Sequence, residues 1–273
     1  MKLGAILKQV RNQQGLSQKE LSEGVCSQSM LSAIENNQYT PNAELLIKLC
    51  QRLGISLSEF SLADNFAVTA NANFNQTVDE LCNSHRYFEL KNFLLDNSTI
   101  NQIKTSSQTQ AYYYYLGVAQ LHTDDNLDEA RQNLTLSINS AEKKKLSTLS
   151  RLGIISLAYV HTKYNQTDSA SGLIEQAMAD LPDAIYEPNL NVVVYLAALI
   201  SYEMKENVSL TIQKIDNAID YISNHDSHYM LANCYRLVAQ IAQEQGNAER
   251  ELEATKRQEF LSELFHEKIN DDF

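Results

Sequence analysis

Gly15-Leu16-Ser17-Gln18-Lys19-Glu20-Leu21, followed by Ser27-Gln28-Ser29-Met30-Leu31-Ser32-Ala33-Ile34-Glu35-Asn36, decides the fold of this 273-residue chain. The two stretches read as short helices joined by a tight turn. Ser17 and Glu20 stand three apart and can form a capping box, each side chain satisfying an end N–H of the other. Leu21 and Val25 face inward, and Gly24 lies near the end of that helix. Ser27 can cap the second helix, which buries Met30 or Leu31 together with Ile34 and turns small polar residues outward. Asn36-Asn37 ends it. This is the layout of a helix-turn-helix, whose second helix enters the major groove of duplex DNA.

The flanking sequence completes a small domain. A first helix over about residues 2–13 carries Leu3, Ile6, Leu7 and Val10 at helical spacing, and Gly15 breaks it. Thr40-Pro41 opens a fourth helix with Pro at its first position, where no N–H is needed. Leu45, Leu46, Leu49 and Leu53 line its inner side. Ser56-Leu57-Ser58-Glu59 is a second capping box, opening a short fifth helix that contributes Phe60. Residues 1–62 thus form a five-helix domain. Residues 63–75, with four Ala and no amphipathic stripe, read as a linker, helical or not.

Residues 76–273 read as amphipathic helices separated by polar turns: Thr123-Asp124-Asp125-Asn126, Asn165-Gln166-Thr167-Asp168, Lys205-Glu206-Asn207 and Gln245-Gly246-Asn247. The turns recur about every 40 residues. Ala130, Leu134 and Ser137 are echoed by Ala170, Ile174 and Ala177, then by Thr211, Ile215 and Ala218. Small, apolar four on, small three further is the second-helix pattern of a tetratricopeptide-like pair. Tyr113-Leu116-Gly117, Ile154-Leu157-Ala158 and Tyr195-Ala198-Leu199 mark the first helices. The expected fold is all-α, with four or five helix pairs stacking into a right-handed solenoid with a concave inner face.

Composition narrows the function. Three Pro and eight Gly disfavour an all-β chain, and no apolar run reaches the roughly 18–20 residues of a membrane span. The start lacks a secretory pattern, so a cytoplasmic protein without membrane contact is expected. Four scattered Cys form no CxxC pair and should stay reduced. The net charge of −12 is uneven: six Lys/Arg against five Asp/Glu leave residues 1–62 at +1 and the rest at −13. A near-neutral head on an acidic body suits local DNA contact by the head only. There is no Gly-rich phosphate loop, nucleophile elbow or paired carboxylates on a strand, and no enzyme is expected. His225, Asp226 and His228 lack further converging ligands, so neither a metal site nor a cofactor is expected.

If the second helix of the motif reads DNA, Gln28, Ser29 and Ser32 point into the groove and Ala33 touches a thymine methyl. Ser27 and Asn36 flank the reader. Arg11, Lys19 and Lys48 hold phosphates, as does the helix start near Gln18. The alternative is a capped hairpin whose polar residues simply face water; the pattern over sixty residues favours DNA. In the body, Tyr112-Tyr113-Tyr114-Tyr115 point in four directions, so at least one must face the concave side. Tyr suits peptide contact because it offers area and a polar handle at little entropic cost. Tyr113, Tyr159, Tyr195 and Tyr202, with Gln120, Asn191, Asn233 and Arg236 as partners for backbone amides, are the candidate peptide contacts; core packing is the alternative for each.

Leu16-Ser17-Gln18-Lys19-Glu20-Leu21-Ser22-Glu23, Cys26-x-Gln28-Ser29 and Ile34-Glu35 resemble an XRE-type head; the position after Ser32, often Arg in such heads, is Ala33 here. Head, linker and degenerate repeat body together resemble the Rgg/PlcR/PrgX group of peptide-responsive regulators of Gram-positive bacteria. The resemblance implies a cytoplasmic transcription factor that dimerises through its body. It would bind a short imported signalling peptide and reset two heads on a two-fold operator. By repeat position, it implies that Asn191 and Asn233 clamp the peptide backbone. The competing expectations are an interaction scaffold tethered to DNA and a ligand-free dimeric repressor.

Overall fold

A computed structural model describes residues 3–36, 38–54, 66–123, 127–141, 146–265, 267 and 269. The chain divides into two compact units, residues 1–64 and 65–273. Every regular element among the described residues is helical.

The first unit holds α1 (Leu3–Gln13), α2 (Gln18–Ser22), α3 (Gln28–Glu35) and α4 (Ala43–Leu53). The expected fifth helix at Ser56–Phe60 lies outside the described residues. Leu7, Leu21, Leu31, Ile34, Leu49 and Leu53 form the core. Leu31, not Met30, is the inward partner of Ile34, and Met30 is 37% exposed. The expected caps form at α2 and α3. Ser17 Oγ accepts from Glu20 N at 3.2 Å while Glu20 Oε2 accepts from Ser17 N at 2.7 Å, and Ser27 Oγ accepts from Met30 N at 3.1 Å. Helix α4 starts later than Pro41 suggested. Asn42 is its cap, accepting from Leu45 N at 2.9 Å, because an Asn side chain reaches a free end N–H and Pro cannot supply one. Gly24 takes φ +72° in the turn before α3, a conformation that disfavours any residue with a Cβ.

The second unit is a row of helical hairpins: α5 (Ala72–Asn83) with α6 (Tyr87–Leu94), α7 (Ser106–Leu121) with α8 (Asp128–Ser140), and α9 (Thr148–Lys163) with α10 (Thr167–Met178). Two more follow, α11 (Leu190–Glu203) with α12 (Val208–Asn224) and α13 (Leu231–Glu244) with α14 (Ala248–Phe265). First helices also lie side by side, α7 against α9, α9 against α11 and α11 against α13. Four of the turns share one device. His85, Asn165, Lys205 and Gly246 take left-handed φ between +53° and +68°. The next N–H returns to a carbonyl in the helix just ended: Arg86 to Leu81, Gln166 to His161, Glu206 to Ser201 and Asn247 to Ala242. That bond closes a helix C-terminus and reverses the chain. The corresponding turn at residues 124–126 lies outside the described residues.

The small-apolar-small positions of α8, α10 and α12 are all at most 8% exposed. They let paired helices approach closely: a Cβ added at Gly117 would stand 2.8 Å from Leu134 Cγ and 3.1 Å from its backbone N. The stretch read as a linker is stitched into this unit from residue 66 onward. Tyr115 Oη accepts from Phe66 N at 2.9 Å, Asn75 bonds Val68 N, Thr69 N and Thr69 O, and Val68 is fully buried. Residues 66–71 are held by hydrogen bonds rather than by a helical stripe, which hid their packing, and α5 begins at Ala72 inside the expected linker, burying Phe74. No described helix is long and apolar enough to cross a membrane.

Candidate nucleic-acid interface

Glu35 organises the first unit. It sits beside Leu31 and Ile34 on the buried side of α3 and is 3% exposed. Arg11 Nε and Nη2 donate to its two oxygens at 2.6 and 2.9 Å, and Gln18 Nε2 donates at 2.8 Å. Arg11 Nη1 donates to the Leu16 carbonyl at 2.7 Å. Burial pushes the Glu35 carboxyl up, but the Arg11 and Gln18 hydrogen bonds and the Arg11 charge outweigh it and hold the group below its ordinary range. One side chain thus ties α1, α2 and α3 together. Arg52 adds a second tie, donating from α4 to the Glu23 carbonyl in the turn before α3.

This geometry shows where two residues expected at the DNA surface lie. Arg11 is buried and its guanidinium is spent inside the fold, so in this structure it is not presented to a phosphate. Gln18 is half-buried with its amide nitrogen given to Glu35. The cause is Glu35, which would be an unpaired buried charge without them. The periodicity held the signal: Leu31, Ile34 and Glu35 fall on one helical stripe, and a carboxylate on an apolar stripe calls for a cation.

The rest of the expected set lies at the surface. Lys19, Ser27, Gln28, Ser29 and Asn36 are exposed, and Ser32 and Ala33 are half-exposed. Ser27 and Ser29 share a hydrogen bond of 3.0 Å between their hydroxyls. Gln28, Ser29 and Ser32 therefore offer donors and acceptors from a helix held rigid on its other side. Met30 belongs to this surface as well, which the sequence reading missed by offering it to the core. Lys48 is exposed and pairs with Glu44 at 2.5 Å one turn away, a solvated pair that a phosphate can displace.

In the body, most candidate ligand contacts are engaged within the chain. Gln120 is 2% exposed; its Nε2 donates to Glu129 at 2.6 Å and its Oε1 accepts from Asn133 at 2.7 Å, both on α8. Tyr159 is buried, its hydroxyl bonded to Glu203 at 3.2 Å and its ring beneath the Lys163 ammonium. Tyr195 is buried in the core. Tyr202 is half-buried and donates to Glu244; burial and that carboxylate push its hydroxyl up to about 12. Tyr113 and Arg236 are half-buried. Tyr159 and Tyr202 thus link successive first helices, α9 to α11 and α11 to α13.

Asn191 and Asn233 belong to a device the sequence did not reveal. Near the start of three successive first helices, a polar side chain grips the chain leaving the partner helix. Arg151 Nη1 donates to the Ala177 and Ala179 carbonyls, both at 2.6 Å. Asn191 Nδ2 donates to Ser227 Oγ and the Tyr229 carbonyl, both at 3.0 Å. Asn233 Nδ2 donates to Glu267 at 2.9 Å. Carbonyls beyond a helix end need donors, and these side chains supply them. In this structure the Asn191 and Asn233 amides, expected to clamp a peptide, are engaged within the chain.

A capped, rigidly backed, surface-exposed α3 following α2 defines a helix-turn-helix head, and the hairpin row that follows in the chain a helical-repeat body. Comparison agrees: residues 7–60 match the helix-turn-helix family model. No curated protein matches the chain. The chain is similar in fold to Bacillus thuringiensis PlcR solved with the peptide PapR7 and DNA, with a TM-score of 0.61, 21% identity, and coverage of 97% of this chain and 95% of that one. The apo form of PlcR gives a TM-score of 0.58 at 18% identity over 97% and 95% of the two chains. ComR from S. thermophilus, solved with DNA and its signalling peptide ComS, gives 0.53 at 16% identity over 96% and 94%. The resemblance read from the sequence therefore holds for the fold, an XRE-type head followed by a PlcR-like helical body.

Proposed function

We propose that this protein is a DNA-binding transcriptional regulator whose body senses a short signalling peptide. The observation that carries the DNA half is the exposure of Gln28, Ser29, Ser32 and Ala33 on a helix anchored from behind through Glu35. Gln28 makes the bidentate contact to an adenine, Ser29 and Ser32 contact base edges, Ala33 lies against a thymine methyl, and Lys19 and Lys48 hold phosphates. Two heads of a homodimer sit about one helical turn apart and read a two-fold operator. Support for the peptide half comes from the likeness over nearly the whole chain to PlcR and ComR, each solved with a peptide and DNA. The peptide must favour one body conformation over another, since equal affinity for both shifts nothing.

A second reading, a ligand-free dimeric repressor, is favoured by one observation: Gln120, Asn191 and Asn233 already spend their amides inside the chain. Two measurements separate these readings. Binding-site selection on random duplex DNA, with and without host culture supernatant, should return a two-fold site whose recovery changes with supernatant. Calorimetry with host-encoded secreted peptides should give saturable heat. A two-fold site with no response to any peptide supports the repressor, and no selected site at all overturns both readings.

A further inference from the structure

From Gly24 to Ala43 the chain carries one charged side chain, Glu35, and that one is buried against Arg11 and Gln18. The exposed face of α3 is therefore uncharged. Guanine is most often read in the major groove by Arg or Lys on its O6 and N7, and cytosine by a carboxylate on its N4 amine. Helix α3 presents neither. What it does present divides into two edges. Successive side chains of a helix stand about 100° apart. With Leu31, Ile34 and Glu35 turned inward, Ser29 lies at the crest of the outward face, Gln28 and Ser32 on one flank, and Met30 and Ala33 on the other. Met30 and Ala33, three residues apart, adjoin on the helix surface. Met30 is 37% exposed and Ala33 half-exposed. Among the described residues of the first unit, Met30 and Tyr39 are the large apolar side chains left exposed. The Met30 N–H is held by Ser27 Oγ, which fixes the residue in the first turn of the helix.

We propose that α3 reads A·T pairs through an apolar edge, Met30 with Ala33, that takes the C5-methyl groups of thymine, while Gln28 on the opposite flank takes adenine. The proposal rests on the DNA-binding reading above and adds to it the base composition of the half-site and Met30 as the residue that enforces it. A thymine methyl meets the Met30 thioether and the Ala33 methyl as apolar surface on apolar surface. A cytosine in its place brings no methyl and leaves its N4 amine facing apolar atoms, a donor without an acceptor. Ser29 and Ser32 do not restore a preference for G·C, because a hydroxyl both donates and accepts and suits either pair. The centre of each half-site, where α3 lies, is therefore A·T. Each methyl covered by this edge is worth about fourfold in affinity, the partition gain of one buried methyl group.

The test uses the full-length chain and the duplex returned by selection, under the supernatant condition that recovered it. Each thymine of one half-site is replaced in turn by deoxyuridine, which lacks only the C5-methyl, and affinity is read by fluorescence anisotropy. The selected half-site should be A·T at its centre, and deoxyuridine at one or two of its thymines should weaken binding about fourfold each. Met30→Ala, a change at an exposed position, should melt with the parent. It should weaken binding to the thymine duplex and bind thymine and deoxyuridine duplexes alike at the position that Met30 covers. Met30→Leu keeps an apolar side chain and should restore the difference. Four outcomes overturn the methyl edge while DNA binding itself stands: fixed G·C pairs at the half-site centre, tolerance of deoxyuridine at every thymine, an undiminished deoxyuridine penalty in Met30→Ala, or equal weakening of both duplexes, which would put Met30 in a protein contact. Absence of any selected site for the parent chain would overturn the edge together with the DNA-binding reading.

Discussion

Glu35 shows how one buried residue can fix the way a whole helix is presented. Its carboxylate faces the core, so α3 is fastened at its inner side and free at its outer one. Arg11→Ala strands that charge and should lower the head's stability by about 3–5 kcal/mol, read by chemical denaturation. DNA affinity should then fall only through the unfolded fraction, because the Arg11 guanidinium is engaged by Glu35 and the Leu16 carbonyl. Glu35 is held below its ordinary 4.5, so its contribution is complete above that value and is lost as pH falls through the lower folded-state value. In Glu35→Gln, circular dichroism should show a flatter loss of stability between about pH 5 and 3 than in the parent. Gln28→Ala acts on the other side of the helix. It should leave the melting temperature unchanged, cost about 1–3 kcal/mol at one operator position and relax base preference there, measured by binding to a panel of single-base variants.

At the scale of elements, turns and close contacts can be altered one at a time. Lys205 is exposed and carries φ +55° in the α11–α12 turn, a conformation that costs any residue with a Cβ. Lys205→Gly should therefore stabilise the body by up to about 1 kcal/mol, visible in thermal unfolding. Gly117→Ala should do the reverse. Its Cβ meets the branch point and backbone of Leu134, which cannot swing away, and the loss should be about 1–3 kcal/mol despite the better helix propensity of Ala. The sequence made both features readable in part. The small-apolar-small triads located the helix crossings, and the polar turn clusters located the reversals. The left-handed residue within each turn was not legible, because Asn, Lys, His and Gly fill that position in different repeats.

For the whole molecule, charge distribution governs association. The body carries all of the net negative charge, −13 against +1 in the head, and the head has few exposed cations once Arg11 is spent on Glu35. On the proposed reading, in which Lys19 and Lys48 of each of two heads hold phosphates, the slope of log affinity against log salt should be about −3 to −4, from roughly 0.9 per neutralised phosphate. Titrations at several salt concentrations check this. A slope twice as steep would mean that other cations reach the backbone.

The sequence alone determined the all-helical class, the head with its two capped helices, the repeat pattern and the outward face of α3. Each is written in neighbouring residues, through helical periodicity, caps and small residues at helix crossings. The tertiary structure decided which polar side chains are spent inside. Arg11, Gln18, Gln120, Asn191 and Asn233 look like surface groups along the chain. They become structural because folding brings them against partners that a chain reading does not place: a buried carboxylate for Arg11 and Gln18, the polar face of α8 for Gln120, and groups beyond a helix end for Asn191 and Asn233.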